Sequence, residues 1–249
     1  MALEQNPNGN YRFLEGIDPY SGGVVADPGF EIVHVTLSSW PAYRAGFTRI
    51  EDHLEGEGRP LAALCAVQLR SPAPFTFDGF ASFNARYREL LDAAGLLVSG
   101  SNPIARTNVA PEHSPPAEPV LYGFAYTRPS KHARASFVVA GAGDVERQEL
   151  DAQRIVRAGE TSVQAMREKA SHVMAVMGER VRNLGLAWSD ATSVNVYTVR
   201  ELQPFLRDTL LEPMGKAGRR GLHWHYAWPP IAGLEFEMDL RGVRSELYL

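Results

Sequence analysis

The order of strand-like and helix-like patterns occurs twice along this chain, and this repetition constrains the fold more than any single motif. In each half, the hydrophobic periodicity predicts a strand, a helix, a strand, a second helix and two closing strands. Residues 58–69 of the first half correspond to residues 185–198 of the second. We therefore predict an α+β fold made by tandem duplication of one module.

The periodicity also gives approximate bounds for the elements. In the first half it predicts strands at 31–37, 61–69, 104–109 and 120–126, and helices at about 42–55 and 80–94. In the second half it predicts strands at 136–140, 191–198, 222–228 and 234–240, and helices at about 161–184 and 203–212. Each helix has one apolar stripe to bury, so each module should place two helices on one face of a mixed sheet.

These patterns divide the chain into three parts. The first module is predicted to span 25–128 and the second 135–249, with an exposed linker between them. Residues 1–24 are rich in Asn, Gly and Pro and are expected to form a loose arm or an extra hairpin. The charges of 146–149 are expected to lie in a solvated loop.

The composition narrows the class of partners. The 249 residues carry a net charge of −4 and show no dominant basic stripe, so nucleic acid is not an expected partner. No apolar run approaches the roughly 20 residues that span a bilayer. The first residues lack a signal-peptide pattern, and the single cysteine, Cys65, lies in an apolar run. We expect a cytoplasmic protein in which Cys65 is a core residue rather than a nucleophile.

The most informative stretch for function is the C-terminal region. Leu234, Phe236, Met238 and Leu240 alternate with three acids, Glu235, Glu237 and Asp239, which a strand would place on its opposite face. A short distance before them, His223 and His225 flank Trp224 and would share one face of a strand, with Trp224 on the other face and in the core. Imidazoles and carboxylates that lie close together predict a site that moves protons.

Four segments of the chain carry motifs that occur together in one known family. Their sequences are FASFNARY at 80–87, IARTNV at 104–109, GLAWSD at 185–190 and LEFEMDL at 234–240. They resemble the F-x-x-x-N-x-x-Y helix, the P-A-R-[ST]-x-V strand, the G-L-x-x-x-D turn and the final V-x-I-E-I-E strand of the Rid (YjgF-like) superfamily. The resemblance implies a chorismate-mutase-like fold and enamine/imine deaminase activity without a metal or redox cofactor. Among tandem relatives, the chain resembles the 2-aminomuconate and 2-amino-5-chloromuconate deaminases.

The resemblance also implies roles for particular residues. Arg106 matches the arginine that grips the substrate carboxylate, and Glu237 matches the glutamate that positions the attacking water. The closing strand of the first half carries no acid, and the arginine position of the second half falls near His223 or His225. We therefore expect a composite site to which the first half donates Arg106 and the second half donates Glu237.

Further candidates complete this predicted site. His223 and His225 would transfer protons near neutral pH, and Asn108 and Tyr226 would form hydrogen bonds in the pocket. A dicarboxylate substrate would need a second cation, which a protonated histidine or Arg220 would supply. Register slips would exchange the roles of Glu235, Glu237 and Asp239.

Two other functions remain open at this point. His223 and His225 with a carboxylate would suit metal-assisted hydrolysis. A carboxylate-binding module without catalysis would need the same pocket. Ammonia release from an enamine separates an enzyme from a binding module, and insensitivity to a chelator removes the metal alternative.

The resemblance has a consequence for assembly. Rid modules close into rings of three, so a chain with two modules leaves one place empty. Three chains supply the modules for two rings, and we expect a homotrimer or a hexamer.

Overall fold

The computed structural model describes residues 3–146 and 151–249. The predicted loop charges at 147–149 lie outside these described residues. The strands are β1 (Leu3–Asn6), β2 (Tyr11–Leu14), β3 (Gly23–Ala26), β4 (Phe30–Thr36), β5 (Leu64–Arg70), β6 (Ala105–Pro111), β7 (Val120–Pro129), β8 (Phe137–Gly143), β9 (Ser193–Tyr197), β10 (His223–His225), β11 (Ala227–Trp228), β12 (Glu237–Gly242) and β13 (Ser245–Tyr248). The α-helices are α1 (Tyr43–Gly56), α2 (Phe77–Ala93) and α3 (Val163–Asn183).

Two mixed sheets contain the same four-strand pattern. The first sheet has the order β11-β6-β5-β7-β4-β13, and the second has the order β1-β2-β3-β8-β12-β9-β10. In the first, β5 and β6 are parallel, and β7 is antiparallel to both β4 and β5. In the second, β9 and β10 are parallel, and β12 is antiparallel to both β8 and β9. The predicted α+β class is confirmed, whereas the module boundaries stay a prediction.

The helices lie on the outer face of each sheet because each buries one apolar stripe. Phe47 and Ile50 of α1 join Phe83 of α2 in the core of the first sheet. Val173 and Met177 of α3 pack in the core of the second. The predicted core role of the methionines on α3 is confirmed.

The termini of the two longer helices follow from local sequence. Thr76 and Ser162 are the N-caps of α2 and α3, and their side chains accept hydrogen bonds from the backbone N–H groups of Gly79 and Ala165. Gly95 and Gly185 follow these two helices with positive φ angles.

The second half lacks the predicted second α-helix. A π-type segment, Leu206–Leu211, and a 3-10 turn, Ala217–Arg220, stand in its place. Pro213 and Gly215 interrupt the region between them, and a Cβ at Gly218 would lie 2.2 Å from the carbonyl oxygen of Leu211. The prediction of two helices on each sheet was therefore wrong for this half.

One further segment differs from its predicted form. The stretch 222–228 is not one strand: β10 pairs with β9, whereas β11 crosses to the first sheet and pairs with β6. Of the two forms predicted for the N-terminal residues, the structure has the extra hairpin rather than the loose arm: β1 and β2 pair antiparallel, and with β3 they extend the second sheet beside β8. Tyr11 and Phe13 of β2 are fully buried.

The inner faces of the two sheets pack against each other through small side chains. Ala66, Ala105 and Ala125 of the first sheet share one core cluster with Ala140 of the second. Cys65 belongs to this cluster, so its predicted core position is confirmed. Within the described residues, no helix is both long enough and apolar enough to cross a membrane.

The acidic face of β12 points into this space between the sheets. Met238 and Leu240 pack beneath α3, whereas Glu237 and Asp239 alternate with them and are buried. The alternation read from the sequence therefore holds for this strand, and its acids are enclosed by protein rather than solvated.

A glycine on α1 tests how tightly the helices pack on the sheet. A Cβ at Gly46 would lie 2.7 Å from the Cβ of Leu121 on β7. We expect Gly46→Ala to lower the free energy of unfolding by about 1–3 kcal/mol through overpacking. Gly56→Ala in the same helix is the control. A Cβ at Gly56 would meet no atom within 4 Å. The substitution should raise the free energy of unfolding by up to about 1 kcal/mol through helix propensity. Urea denaturation measures both, and an equal effect of the two substitutions would contradict the close packing.

Candidate active site

A small cleft opens where β6 of the first sheet meets β8 and the start of β12 in the second. It is lined by Tyr20, Phe80, Arg106, Asn108, Gly141, Gly143, Pro230, Ile231, Leu234 and Glu237. Both halves of the chain and the N-terminal segment contribute to it. The structure thus brings Arg106 and Glu237 to one cavity.

Arg106 is a buried cation surrounded by aromatic rings. Its side chain is 2% exposed, and its guanidinium carbon lies 4.7 Å from the ring centre of Tyr87 and 4.8 Å from that of Tyr20. Its Nη2 donates to Oδ1 of Asn84 at 2.5 Å, one helical turn before Tyr87 on α2. Among the described residues, Arg106 forms no ion pair, and its Nη1 has no protein partner. A buried guanidinium with a free N–H group is suited to bind a carboxylate.

Other buried donors surround the guanidinium. Within the part of the chain that the structure describes, three donors have no hydrogen-bond partner: Nδ2 of Asn108, Nδ2 of Asn84 and the hydroxyl of Tyr87. Oδ1 of Asn108 accepts a hydrogen bond from Ser71 at 3.0 Å, which orients its amide. Because buried donors without partners are costly, this set makes the cleft suited to a polar or anionic group that accepts hydrogen bonds.

Glu237 lies at the start of β12 and is 3% exposed. Its carboxyl group packs against the backbone of β8, where a Cβ at Gly141 would lie 2.3 Å from Oε1. Only glycine permits this approach. Burial raises the pKa of Glu237 well above its ordinary value, Asp239 and Asp144 raise it further, and Arg106 and Arg180 lower it in part. A carboxyl group whose pKa is raised keeps its proton to higher pH, and the protonated form can donate it.

The other two acids of residues 234–240 already have side-chain partners. Asp239 accepts hydrogen bonds from Nδ2 of Asn195 at 2.6 Å and from the hydroxyl of Tyr197 at 2.9 Å. Glu235 pairs with Arg200 at 2.8 Å. Glu237 accepts no side-chain hydrogen bond from a described residue, so the geometry selects it from the three predicted alternatives.

Arg180 of α3 is a second buried guanidinium near Glu237. Its Nη1 donates to the carbonyl oxygens of Ala140 and Gly141, at 2.9 and 3.3 Å. Its charge acts on both Glu237 and Tyr20. The sequence analysis missed Arg180, although its place three residues after Met177 on the apolar stripe of α3 was an available signal.

The structure places the predicted histidines outside the cleft. Both lie on β10, which β9 separates from β12. Nδ1 of His223 lies 3.2 Å from the hydroxyl of Ser193, and Nε2 of His225 lies 3.0 Å from Oδ1 of Asn195. Burial and the charge of Arg70 lower the pKa of His225 to about 4. A neutral His225 cannot act as the second cation.

The remaining candidates near β10 are also outside the cleft. Arg220 donates to the carbonyl oxygen of Ala191 at 3.0 Å. Tyr226 is 56% exposed, at the point where the chain crosses between the sheets. Trp224, predicted to be core, is 44% exposed, because β10 is the outermost strand of its sheet. Of the predicted binding residues, Arg106 and Asn108 line the cleft, and Tyr226 and Arg220 do not.

The metal alternative depended on a cluster of ligands around the two histidines. Across residues 3–146 and 151–249, no three or more His, Cys, Asp or Glu side chains are grouped so that they could hold a metal ion.

Comparisons with known proteins agree with the family resemblance found in the sequence. The model of a protein family described as 2-aminomuconate deaminase CnbZ matches residues 3–247. A 2-amino-5-chloromuconate deaminase from Comamonas testosteroni is 39% identical over 244 residues, which cover 97% of this chain and 96% of the relative. A crystal structure of chorismatase is similar with a TM-score of 0.50 and 16% identity, covering 92% of this chain and 79% of that one. This last likeness shows a related fold alone.

The raised pKa of Glu237 should make stability depend on pH. From about pH 4.5, the ordinary pKa of a glutamate, up to the raised pKa of the folded state, the carboxyl group of Glu237 is more protonated in the folded state than in the unfolded state. The free energy of unfolding therefore falls as pH rises through that window. Gln has the shape of the neutral acid and does not titrate. We therefore expect the difference in Tm, Glu237→Gln minus wild type, to become more positive as pH rises. Thermal unfolding at a series of pH values measures this, with the exposed Glu51→Gln on α1 as the control. Parallel curves for Glu237→Gln and the wild type would contradict a raised pKa.

Proposed function

Because the chain belongs to the family of 2-aminomuconate deaminase CnbZ, we propose that it hydrolytically deaminates a 2-aminomuconate-type enamine carboxylate and releases ammonia. The observation that carries the proposal is the pairing, in one cleft, of a buried guanidinium that has a free N–H group with a carboxyl group of raised pKa. The first binds an anion, and the second donates a proton.

Arg106 and Asn108 bind one carboxylate of the substrate in this proposal. The free Nη1 of Arg106 and Nδ2 of Asn108 donate hydrogen bonds to its two oxygens. Phe80, Ile231 and Leu234 form the apolar wall against which the unsaturated carbon chain packs. The charge of Arg180, near Glu237, favours a second negative group on the substrate.

Glu237 performs the first proton transfer. The neutral acid protonates the enamine carbon, the carbon–carbon double bond shifts to carbon–nitrogen, and an iminium forms. The Glu237 carboxylate that remains is stabilised by the nearby charges of Arg106 and Arg180. Its elevated proton affinity prepares it to take a proton back.

Water then completes the reaction. The Glu237 carboxylate removes a proton from water as the oxygen adds to the iminium carbon, which gives a carbinolamine and regenerates the acid. Glu237 next protonates the amine, ammonia leaves, and the oxygen returns its proton to the carboxylate as the carbonyl forms. The sum is enamine plus water to ketone plus ammonia, and the proposed steps use no metal or redox cofactor.

We further propose that the chain assembles as a homotrimer or hexamer, as the Rid resemblance implies. The exposed aromatic side chains of Trp224 and Tyr226, at the edge of the second sheet, support an association surface there. Light scattering is expected to give a mass three or six times that of the chain, and a monomer at micromolar concentration would refute the proposal.

Substitutions in the cleft test the reaction. Glu237→Gln removes the proton donor and Arg106→Met removes the carboxylate ligand. Each should lower kcat/KM for ammonia release from a freshly generated enamine carboxylate by on the order of 10²-fold or more. His223→Ala is the matched control and should remain near the wild type, because His223 lies on β10, outside the cleft. A chelator should not change the rate.

The outcomes separate the alternatives. Full activity in Glu237→Gln would exclude the proposed acid. Binding of a carboxylate by the wild type without ammonia release would indicate a binding module instead. Loss of activity in His223→Ala, or on chelation, would favour the metal alternative.

A further inference from the structure

A fully buried ion pair lies behind the wall of the cleft. Nζ of Lys169, on α3, donates to Oδ2 of Asp144 at 2.8 Å, and both side chains are 0% exposed. Lys169 also donates to the carbonyl oxygen of Val156 at 2.5 Å. None of the steps proposed above uses either residue.

Asp144 joins the two strands that carry the cleft wall. Its Oδ1 accepts hydrogen bonds from the backbone N–H groups of Glu235 and Phe236, at 3.0 and 3.2 Å. These residues immediately precede Glu237 at the start of β12. Asp144 itself follows Gly143, which pairs with Glu237 in the sheet. One carboxylate therefore connects the end of β8, the start of β12 and α3.

Stability alone does not account for this pair. The desolvation of two buried charges is as large as their attraction, and apolar residues of similar volume commonly give an equally stable fold. Burial raises the pKa of Asp144, whereas Lys169 and the two backbone N–H groups lower it. This set of donors is suited to a carboxylate rather than to a neutral acid.

From these contacts, we propose that Asp144 and Lys169 are a positioning pair that fixes the Glu237 carboxyl group at the cleft wall and places a negative charge behind it. This inference rests on the proposed role of Glu237 as the proton donor. Asp144 and Lys169 do not touch the substrate and act through Glu237. Lys169 holds Asp144 in place, and Asp144 holds the backbone from which Glu237 projects.

The charged groups around Glu237 come from several elements. Asp239 lies on its own strand, Asp144 follows β8, Arg106 is on β6, Arg180 is on α3, and Tyr20 is in the N-terminal segment. Asp144 raises the pKa of Glu237, whereas both arginines lower it. Lys169 is not among the groups that act on the pKa of Glu237, so removing the Asp144–Lys169 pair removes a charge that raises this pKa and should lower the pH at which Glu237 titrates.

The test removes both charges together. Asp144→Asn/Lys169→Met retains an oxygen for the backbone N–H groups and leaves no unpaired buried charge. Carbon-13 NMR of labelled glutamate carboxyl groups follows the titration of Glu237, whose signal is identified by its absence in Glu237→Gln. We expect Glu237 to titrate at lower pH in the double variant.

In kinetics, we expect kcat to fall by on the order of tenfold or more, KM to change much less, and the alkaline limb of the pH profile to move to lower pH.

A matched control and a second variant complete the design. Glu31→Gln/Arg128→Met removes another ion pair, which is 2.9 Å long and joins β4 and β7 of the first sheet. It should leave the titration and the pH profile unchanged. If the first double variant does not fold, Asp144→Asn/Lys169→Gln retains hydrogen-bonding groups at both positions and is measured in the same way.

The result that would overturn the inference is a folded variant in which Glu237 titrates as in the wild type and the pH profile superimposes. Failure of the proposed function is distinguishable from this. Wild-type protein that releases no ammonia refutes the function, whereas the NMR titration tests the pair without any turnover.

Discussion

The burial of carboxyl groups between two sheets is the constraint on which the rest of this structure depends. β12 directs Glu237 and Asp239 toward the first sheet, where solvent does not reach them. A buried carboxylate is tolerated only with compensating donors, or the group becomes neutral. Asp239 has compensating donors, because it accepts hydrogen bonds from Asn195 and Tyr197. Glu237 has no such side-chain donor among the described residues, and its burial raises its pKa well above the ordinary value.

The same reasoning applies to the opposite charge. Arg106 is enclosed by aromatic rings and a single amide oxygen, with no carboxylate at ion-pair distance among the described residues. A folded protein gains little stability from such an arrangement, since the rings only partly replace water around the guanidinium. The arrangement is instead suited to an anionic ligand, whose carboxylate would complete the hydrogen bonds of Arg106 and Asn108 together. The donors are held before the ligand arrives, which lowers the entropy cost of binding it.

The features that depend on local sequence patterns or on a motif could be predicted from the sequence. Strand and helix periodicity predicted most of the repeated elements, though not the loss of the second α-helix in the second half, and the alternation at 234–240 placed the acids of β12 on one face. Arg106 and Glu237 were found through their motif positions. Arg180 and Lys169 were missed because a charged residue on a helix is ordinarily taken as solvated. Their burial depends on contacts with β8 and with Asp144, which no local pattern reports. His223 and His225 were misplaced because one apparent strand divides between two sheets at Tyr226.

The division of the site between the halves explains why neither half is complete. The closing strand of the first half, β7, carries no acid, while β12 carries Glu237. Arg106 on β6 has no arginine counterpart on β10, where His223 and His225 contact Ser193 and Asn195 instead. In the second half, short helical turns stand where the first half has α2. The α2 helix that carries Asn84 and Tyr87 to Arg106 persists only in the half that supplies the arginine.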